Sequence, residues 1–243
     1  MCRHLAYLGP PVSLASVVLH PPQGLYEQSW APRLQKHGLV NVDGFGVGWY
    51  PGEDGGEPAR YRRNVPIWTD PNLPEMAKAI RSRAIIAAVR SATPGTGQEE
   101  AAAAPFRDGR YLFSHNGVIP DWTNLPTDLS HAELLSLQAR SDSALLWLLI
   151  YRELRRGAAP EDAFISIIGH VADVRPTARL NLLLTDGRTV VATRFGDTLW
   201  YRTGPDLLVA SEPDDEDVGE WHEVPDRTLL LADQAGVVRT KSL

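Results

Sequence analysis

A single cysteine, Cys2, among 243 residues rules out an internal disulfide, so the fold must rest on buried apolar surface and hydrogen bonding. Hydrophobic residues make up 43% of the chain and charged residues 22%, enough for one large domain or two small ones with a real core. The 20 glycines and 19 prolines are about 16% of the chain, against roughly 12% in average proteins. That excess favours many short elements joined by tight turns over a helical bundle. A formal charge of −6 argues against a surface that tracks nucleic acid or anionic lipid. The N-terminus, MCRHLAYLGPP, lacks the apolar stretch of about 7–15 residues of a signal peptide. The longest apolar run, 144–150, falls far short of the roughly 20 residues that span a bilayer. A cytoplasmic protein that binds neither nucleic acid nor membrane is expected.

Position 2 gives the cysteine a second meaning. Initiator methionine is commonly removed before a small residue, and the mature chain would then begin at Cys2 with a thiol and a free α-amine on one residue. The amine has an ordinary pKa of about 7.7–8.0 and the thiol about 8.5, so the amine can take the thiol proton near neutrality. A nucleophile that carries its own base needs no histidine from elsewhere in the fold. Any residue left ahead of Cys2 abolishes that base.

The chain shows no linker, repeat or composition break, and is expected to form a single domain over 2–243. A strand is expected over 2–8, ended by Gly9-Pro10-Pro11. Two strand segments around an Asp43-Gly44 turn are expected over 38–50, followed by a loop over 51–58. The run Arg60-Tyr61-Arg62-Arg63 reads as a solvated strand face. A helix over 74–83, a buried strand over 84–90 and a strand over 111–113 follow. Helices fill 129–171, with starts near Ser130, Ser141-Asp142-Ser143 and Pro160. Short strands close the chain at 179–185, 189–194, 198–202, 207–210, 228–232 and 236–239, and the acidic run 212–217 reads as a solvated loop. The succession points to a layered α+β protein.

Four patches bear on what Cys2 could do: Cys2-Arg3-His4, Arg90-Ser91-Ala92-Thr93, His115-Asn116-Gly117 and Ser141-Asp142-Ser143. Each has a structural alternative. Asp142 suits a helix N-cap, Asn116-Gly117 a type I′ hairpin turn, Arg90 a surface ion pair and His115 a satisfied core histidine. Asp43-Gly44 suits a structural role at the floor of a site. In this order and spacing the patches resemble the class II glutamine amidotransferases, members of the N-terminal nucleophile (Ntn) hydrolases. The resemblance covers residues 2 to about 150 and implies a four-layer αββα sandwich with two antiparallel sheets in the middle. It implies Cys2 as nucleophile, with Asn116 and Gly117 donating to the oxyanion. Arg90 and Thr93 would hold the substrate α-carboxylate and Asp142 its α-ammonium.

The chain departs from the family pattern at Ser91, where tryptophan is common, and at Ala102-Ala103-Ala104-Pro105-Phe106 before the His-Asn-Gly patch. No P-loop or Rossmann glycine pattern is present. The fuller pattern, MCRHLAYLGPPVSL with NVDGFGVGWY, VRSATPG, LFSHNG and SDS, is similar to the ergothioneine-pathway γ-glutamyl amidohydrolases. That similarity implies hydrolysis of γ-glutamyl-hercynylcysteine S-oxide without metal, organic cofactor or protein partner. Aromatic or acidic residues of 23–50 and 66–75 are expected to face the trimethylammonium side of such a substrate. A glutaminase subunit feeding ammonia to a separate synthase and a non-catalytic γ-glutamyl-binding protein are the alternatives.

Overall fold

The computed structural model describes residues 2–52, 56–93, 95–215 and 217–243. Met1, whose removal the N-terminal mechanism needs, lies outside the described residues, as do 53–55 of the 51–58 loop, Pro94 and Glu216.

In chain order the strands are β1 (Arg3–Ser13), β2 (Phe45–Trp49), β3 (Ala59–Arg63), β4 (Arg81–Val89), β5 (Phe106–Asp108), β6 (Tyr111–Val118) and β7 (Arg179–Thr185). They continue with β8 (Thr189–Arg194), β9 (Trp200–Thr203), β10 (Leu207–Ala210), β11 (His222–Glu223), β12 (Thr228–Asp233) and β13 (Val238–Ser242). The helices are α1 (Leu14–Val18), α2 (Leu25–Gln28), α3 (Leu73–Ala79), α4 (His131–Leu135), α5 (Asp142–Arg155) and α6 (Pro160–Val174). Among the described residues the strands form two antiparallel sheets, one ordered β11-β9-β10-β1-β4-β2-β3 and the other β13-β12-β8-β7-β6-β5.

Side-chain alternation along the strands explains the layering. Leu5 and Tyr7 of β1, with Ile85, Ala87 and Val89 of β4, pack against α1 and α3 through Leu14, Val18, Leu73 and Ala77. The alternate residues Ala6, Leu8, Ala84 and Ile86 meet Leu183, Val190 and Ala192 between the two sheets. Leu180, Leu182 and Leu184 of β7 turn the other way, onto Leu145, Trp147 and Ile150 of α5 and Phe164 and Ile168 of α6. Three apolar seams thus join four layers in αββα order, the expected sandwich. Each fully buried large apolar side chain contributes about 1.5–3 kcal/mol relative to exposure. Ser141 caps α5, its Oγ accepting from Ala144 N at 3.1 Å. Among the described residues no helix is long and apolar enough to cross a membrane.

Several local expectations change. Gly9-Pro10-Pro11 does not end β1: the chain stays extended to Ser13, and the prolines, lacking ladder donors, leave only a register shift between Leu8 and Val12. Only one strand forms over 38–50, because Asp43 and Gly44 bond to the end of β4 rather than closing a hairpin: Asp43 N donates to Arg90 O at 2.9 Å and Arg90 N to Gly44 O at 2.7 Å. The helix expected to Arg83 ends at Ala79, and Arg81 already belongs to β4.

The arginines of β3 are not simply solvated. Arg60 donates to Pro105 O at 3.2 Å, and Arg62 donates to Ala101 O and Ala103 O at 2.9 and 3.1 Å, so they clamp the 101–105 loop. Gly46 lets that loop lie on β2, since a Cβ there would stand 2.2 Å from Ala104 O. The acidic run is also not a solvated loop throughout. Glu212 is fully buried against Arg3 at 3.1 Å, and Asp214 is buried as well.

Candidate active site

The nucleophile candidate sits at the start of β1, where one row of residues, Arg3, Val89, Phe45 and Arg63, crosses four strands. The end of β4 and the start of β2 therefore lie beside Cys2. Cys2 Sγ is 3.8 Å from Ser91 O, and Cys2 lines a narrow cleft with Arg90, Ala102, Ala104, Phe106, His115 and Ser143. The residue as a whole is half-buried, while its thiol is enclosed by protein. Burial pushes the thiol above its ordinary pKa; the Arg90 guanidinium pulls it down, and Asp142 adds to the rise. A protonated thiol at neutral pH needs a base to become a nucleophile.

Arg90 is buried and already makes three hydrogen bonds: to Asp43 O at 3.3 Å, Thr96 Oγ1 at 3.1 Å and Gly97 O at 2.7 Å. Two of a guanidinium's five donors remain for a ligand. The turn after β4 is pinned from below by Asp43, whose Oδ2 accepts from Ala92 N at 2.7 Å. Asp43 therefore has the structural role expected of it.

Asp142 is not the cap of α5, a task Ser141 performs. It occupies the first helical position, where the helix dipole favours a carboxylate. Its Oδ2 accepts from Ile119 N at 3.0 Å and lies 3.5 Å from Thr93 Oγ1. Thr93, Asp142, Arg90 and Cys2 are thus gathered from the β4 end, the α5 start and the β1 start.

Asn116 and Gly117 do not form a hairpin turn. They continue β6, paired with Asn181 and Leu180 of β7. Gly117 is required by close approach, since a Cβ would stand 1.9 Å from Arg179 O. Asn116 is fully buried, with Nδ2 donating to Ser211 Oγ at 3.4 Å and Oδ1 without a hydrogen-bond partner among the described residues. The carboxamide is thus turned towards Ser211.

Two histidines flank this arrangement without charge. Burial holds His4 at about 3, with His115 and Arg3 pushing the same way. Burial also lowers His115, against Asp142, which pulls it up. His115 Nε2 lies 2.9 Å from Arg179 O, an acceptor, so the hydrogen-bond network places the proton on Nε2 and leaves Nδ1 to accept from Ser143 Oγ at 3.0 Å. His115 is a satisfied core histidine. Among the described residues, no three or more His, Cys, Asp or Glu side chains are gathered in a way that could hold a metal ion.

A family model, "Glutamine amidotransferases class-II", matches residues 26–231. The chain belongs to the class II glutamine amidotransferases. It is 46% identical to the γ-glutamyl-hercynylcysteine sulfoxide hydrolase of Mycolicibacterium smegmatis, with 99% of each chain covered. It is 45% identical to the protein of that name from Mycobacterium tuberculosis, over 99% of this chain and 96% of the other. Among solved structures, a glutamine aminotransferase class-II domain protein from Silicibacter pomeroyi superposes with a TM-score of 0.68 at 24% identity, over 99% of both chains. The phosphoribosylpyrophosphate amidotransferase of B. subtilis superposes at 0.63 and 16% identity, over 99% of this chain and 49% of its own. Both likenesses are of fold, and they extend the family's architecture to all four layers seen here.

Arg3, Glu212, Ser211 and Ser143 were not singled out as site residues from sequence. Ser143 stood in the quoted Ser-Asp-Ser patch. Glu212 carried no signal, because an acidic run ordinarily reads as solvent-facing.

Proposed function

We propose that this class II amidotransferase relative hydrolyses the γ-glutamyl amide of γ-glutamyl-hercynylcysteine sulfoxide, releasing glutamate and hercynylcysteine sulfoxide in ergothioneine biosynthesis. The observation that carries this reading is 46% identity running through 99% of both chains with a hydrolase of that name. The cleft containing Cys2 and Arg90, with Asp142 and Thr93 beside it, supplies the chemistry.

After removal of Met1, the α-amine of Cys2 takes the thiol proton and Sγ bonds to the δ-carbonyl carbon. The carbonyl oxygen gains negative charge as the tetrahedral adduct forms, with the Gly117 N–H and the Asn116 Nδ2 proton not given to Ser211 Oγ as its donors; one such donor is worth about 10²–10³ in rate. The adduct collapses by breaking the C–N bond, and the leaving amine accepts the proton from the α-ammonium. Water, deprotonated by the regenerated α-amine, then attacks the thioester, breaking the C–S bond and releasing glutamate. Arg90 with Thr93 holds the glutamyl α-carboxylate, and Asp142 holds the α-ammonium. The reaction needs no metal, organic cofactor or protein partner, and it takes place in the cytoplasm within a single domain spanning 2–243.

The test is glutamate release from γ-glutamyl-hercynylcysteine sulfoxide and from glutamine under identical conditions, with Cys2→Ala as control. We expect kcat/KM at least tenfold higher for the former and none in the variant. Equal efficiency on both, or glutamine turnover that rises when a synthase is added, overturns this function.

A further inference from the structure

The row Arg3, Val89, Phe45 and Arg63 also locates two loops. Strands stand about 4.8 Å apart, so Arg63 lies on the order of 14 Å from Arg3. The segment entering β2 and the segment leaving β3 therefore emerge at the Cys2 end of the sheet. The first is tied down by Asn41 N donating to Ser29 O at 2.7 Å and by Asp43 Oδ2 accepting from Ala92 N at 2.7 Å.

Two indoles meet where these segments approach each other. Trp30 from the first and Trp68 from the second pack edge to face, with centroids 5.4 Å apart and planes at 89°. Tyr26 meets Trp30 in the same manner at 4.8 Å and 87°. Trp30 is 36% exposed and Trp68 37%, whereas Trp122, Trp147 and Trp221 are buried. Indole surface left in water costs stability unless a ligand covers it. An edge-to-face pair leaves aromatic face free, and such faces attract cations. Glu27 stands one turn before Trp30, its carbonyl accepting from Trp30 N at 3.1 Å.

We propose that Trp30 and Trp68 receive the quaternary trimethylammonium group of the amine being released, and so determine which γ-glutamyl amides the enzyme prefers. This rests on the substrate reading above. A quaternary ammonium has no N–H to donate, so hydrogen-bonding residues cannot select it, whereas aromatic faces can.

The experiment compares γ-glutamyl-hercynylcysteine sulfoxide with its unmethylated histidine counterpart in wild type, Trp30→Ala, Trp68→Ala and the two Phe variants. Each Ala variant is expected to lower the trimethylated-to-unmethylated ratio of kcat/KM about tenfold, mid-range for an aromatic–cation contact, and Phe to restore most of it. An unchanged ratio in both Ala variants overturns the proposal. In parallel, hercynine and histidine are titrated against all five proteins by tryptophan fluorescence. About tenfold weaker hercynine binding in the Ala variants supports the subsite, and equal binding overturns it. If wild type turns over neither sulfoxide, the substrate reading fails on its own, and the titration still decides whether the indoles hold a trimethylammonium group.

Discussion

Glu212 is the residue whose removal tests the architecture of the site most directly. Its side chain and that of Arg3 are each about 1% exposed, and the two approach to 3.1 Å. The approach is not along an N–H direction, and no guanidinium nitrogen of Arg3 has a hydrogen-bond partner among the described residues. The pair is therefore held by charge. Burial pulls the Arg3 pKa down and Glu212 holds it up. The other carboxylate oxygen of Glu212 accepts from Arg33 N at 2.8 Å and Leu34 N at 2.9 Å. Glu212→Ala leaves a buried guanidinium without its counter-charge, a loss of about 3–5 kcal/mol, and orphans two backbone donors as well. At about 2–4 °C per kcal/mol for a chain of this size, the melting temperature should fall on the order of 10 °C. Glu212→Gln keeps an acceptor for the two amides and removes only the charge, so it separates the contributions. It should recover less than half of the loss, as read by calorimetry or circular dichroism. If both variants melt within about 2 °C of wild type, the ion pair does not hold the start of β1.

Other outcomes follow from the same geometry. His4 is held neutral by burial at about 3 against an ordinary 6.5, so the unfolded chain binds more protons between those values. Stability is full above about 6.5 and is lost as pH falls towards 3, by up to ~1.4 kcal/mol per pH unit. His4→Gln should make urea-derived stability shallower in pH by up to one proton, and an unchanged slope refutes the assignment. Gly117→Ala drives a methyl group into Arg179 O; it should cost about 1–3 kcal/mol and displace the Gly117 N–H, so wild-type turnover in this variant would exclude that donor. A form carrying an uncleavable residue before Cys2 should lose at least a hundredfold in turnover, the low end for removing a general base, with intact mass confirming the extra residue.

What could be read from sequence was whatever has a local cause. Ser141-Asp142-Ser143 announced a helix start because capping chemistry is local, and 179–185 and 189–194 announced strands because Asp186-Gly187 separates two apolar runs. The misjudged segments are those decided by distant partners. Gly9-Pro10-Pro11 stays extended because β4 lies alongside. Asn116-Gly117, for which a turn was the structural alternative, is strand because β7 pairs with it. Glu212 is buried because Arg3, 209 positions earlier, needs a counter-ion there. Within the site, the proximity of Arg90 to Cys2 follows from β1–β4 register, which pattern alone does not set. The conformation of Asn116, turned to Ser211, had no sequence signal at all.

The Arg3–Glu212 pair also links binding to chemistry. One oxygen of Glu212 faces Arg3, the residue after the nucleophile, and the other accepts from Arg33 and Leu34, three and four residues after Trp30. The segment 29–44 then returns to the site through Asp43, which bonds Ala92 beside the residue whose carbonyl contacts Cys2 Sγ. A leaving group seated on this segment therefore touches a body fixed at both ends to the surroundings of the thiol. A substitution that loosens the segment without touching substrate, such as Asn41→Ala, which removes the Nδ2 bonds to Gln28 O at 3.5 Å and Gln35 Oε1 at 3.2 Å, should misplace Sγ relative to the carbonyl as well as weaken binding. Since small misplacements of reacting atoms are costly in rate, kcat should fall together with any rise in KM. If kcat instead stays at the wild-type value while only KM rises, the segment positions substrate alone and the coupling through Glu212 and Asp43 is absent.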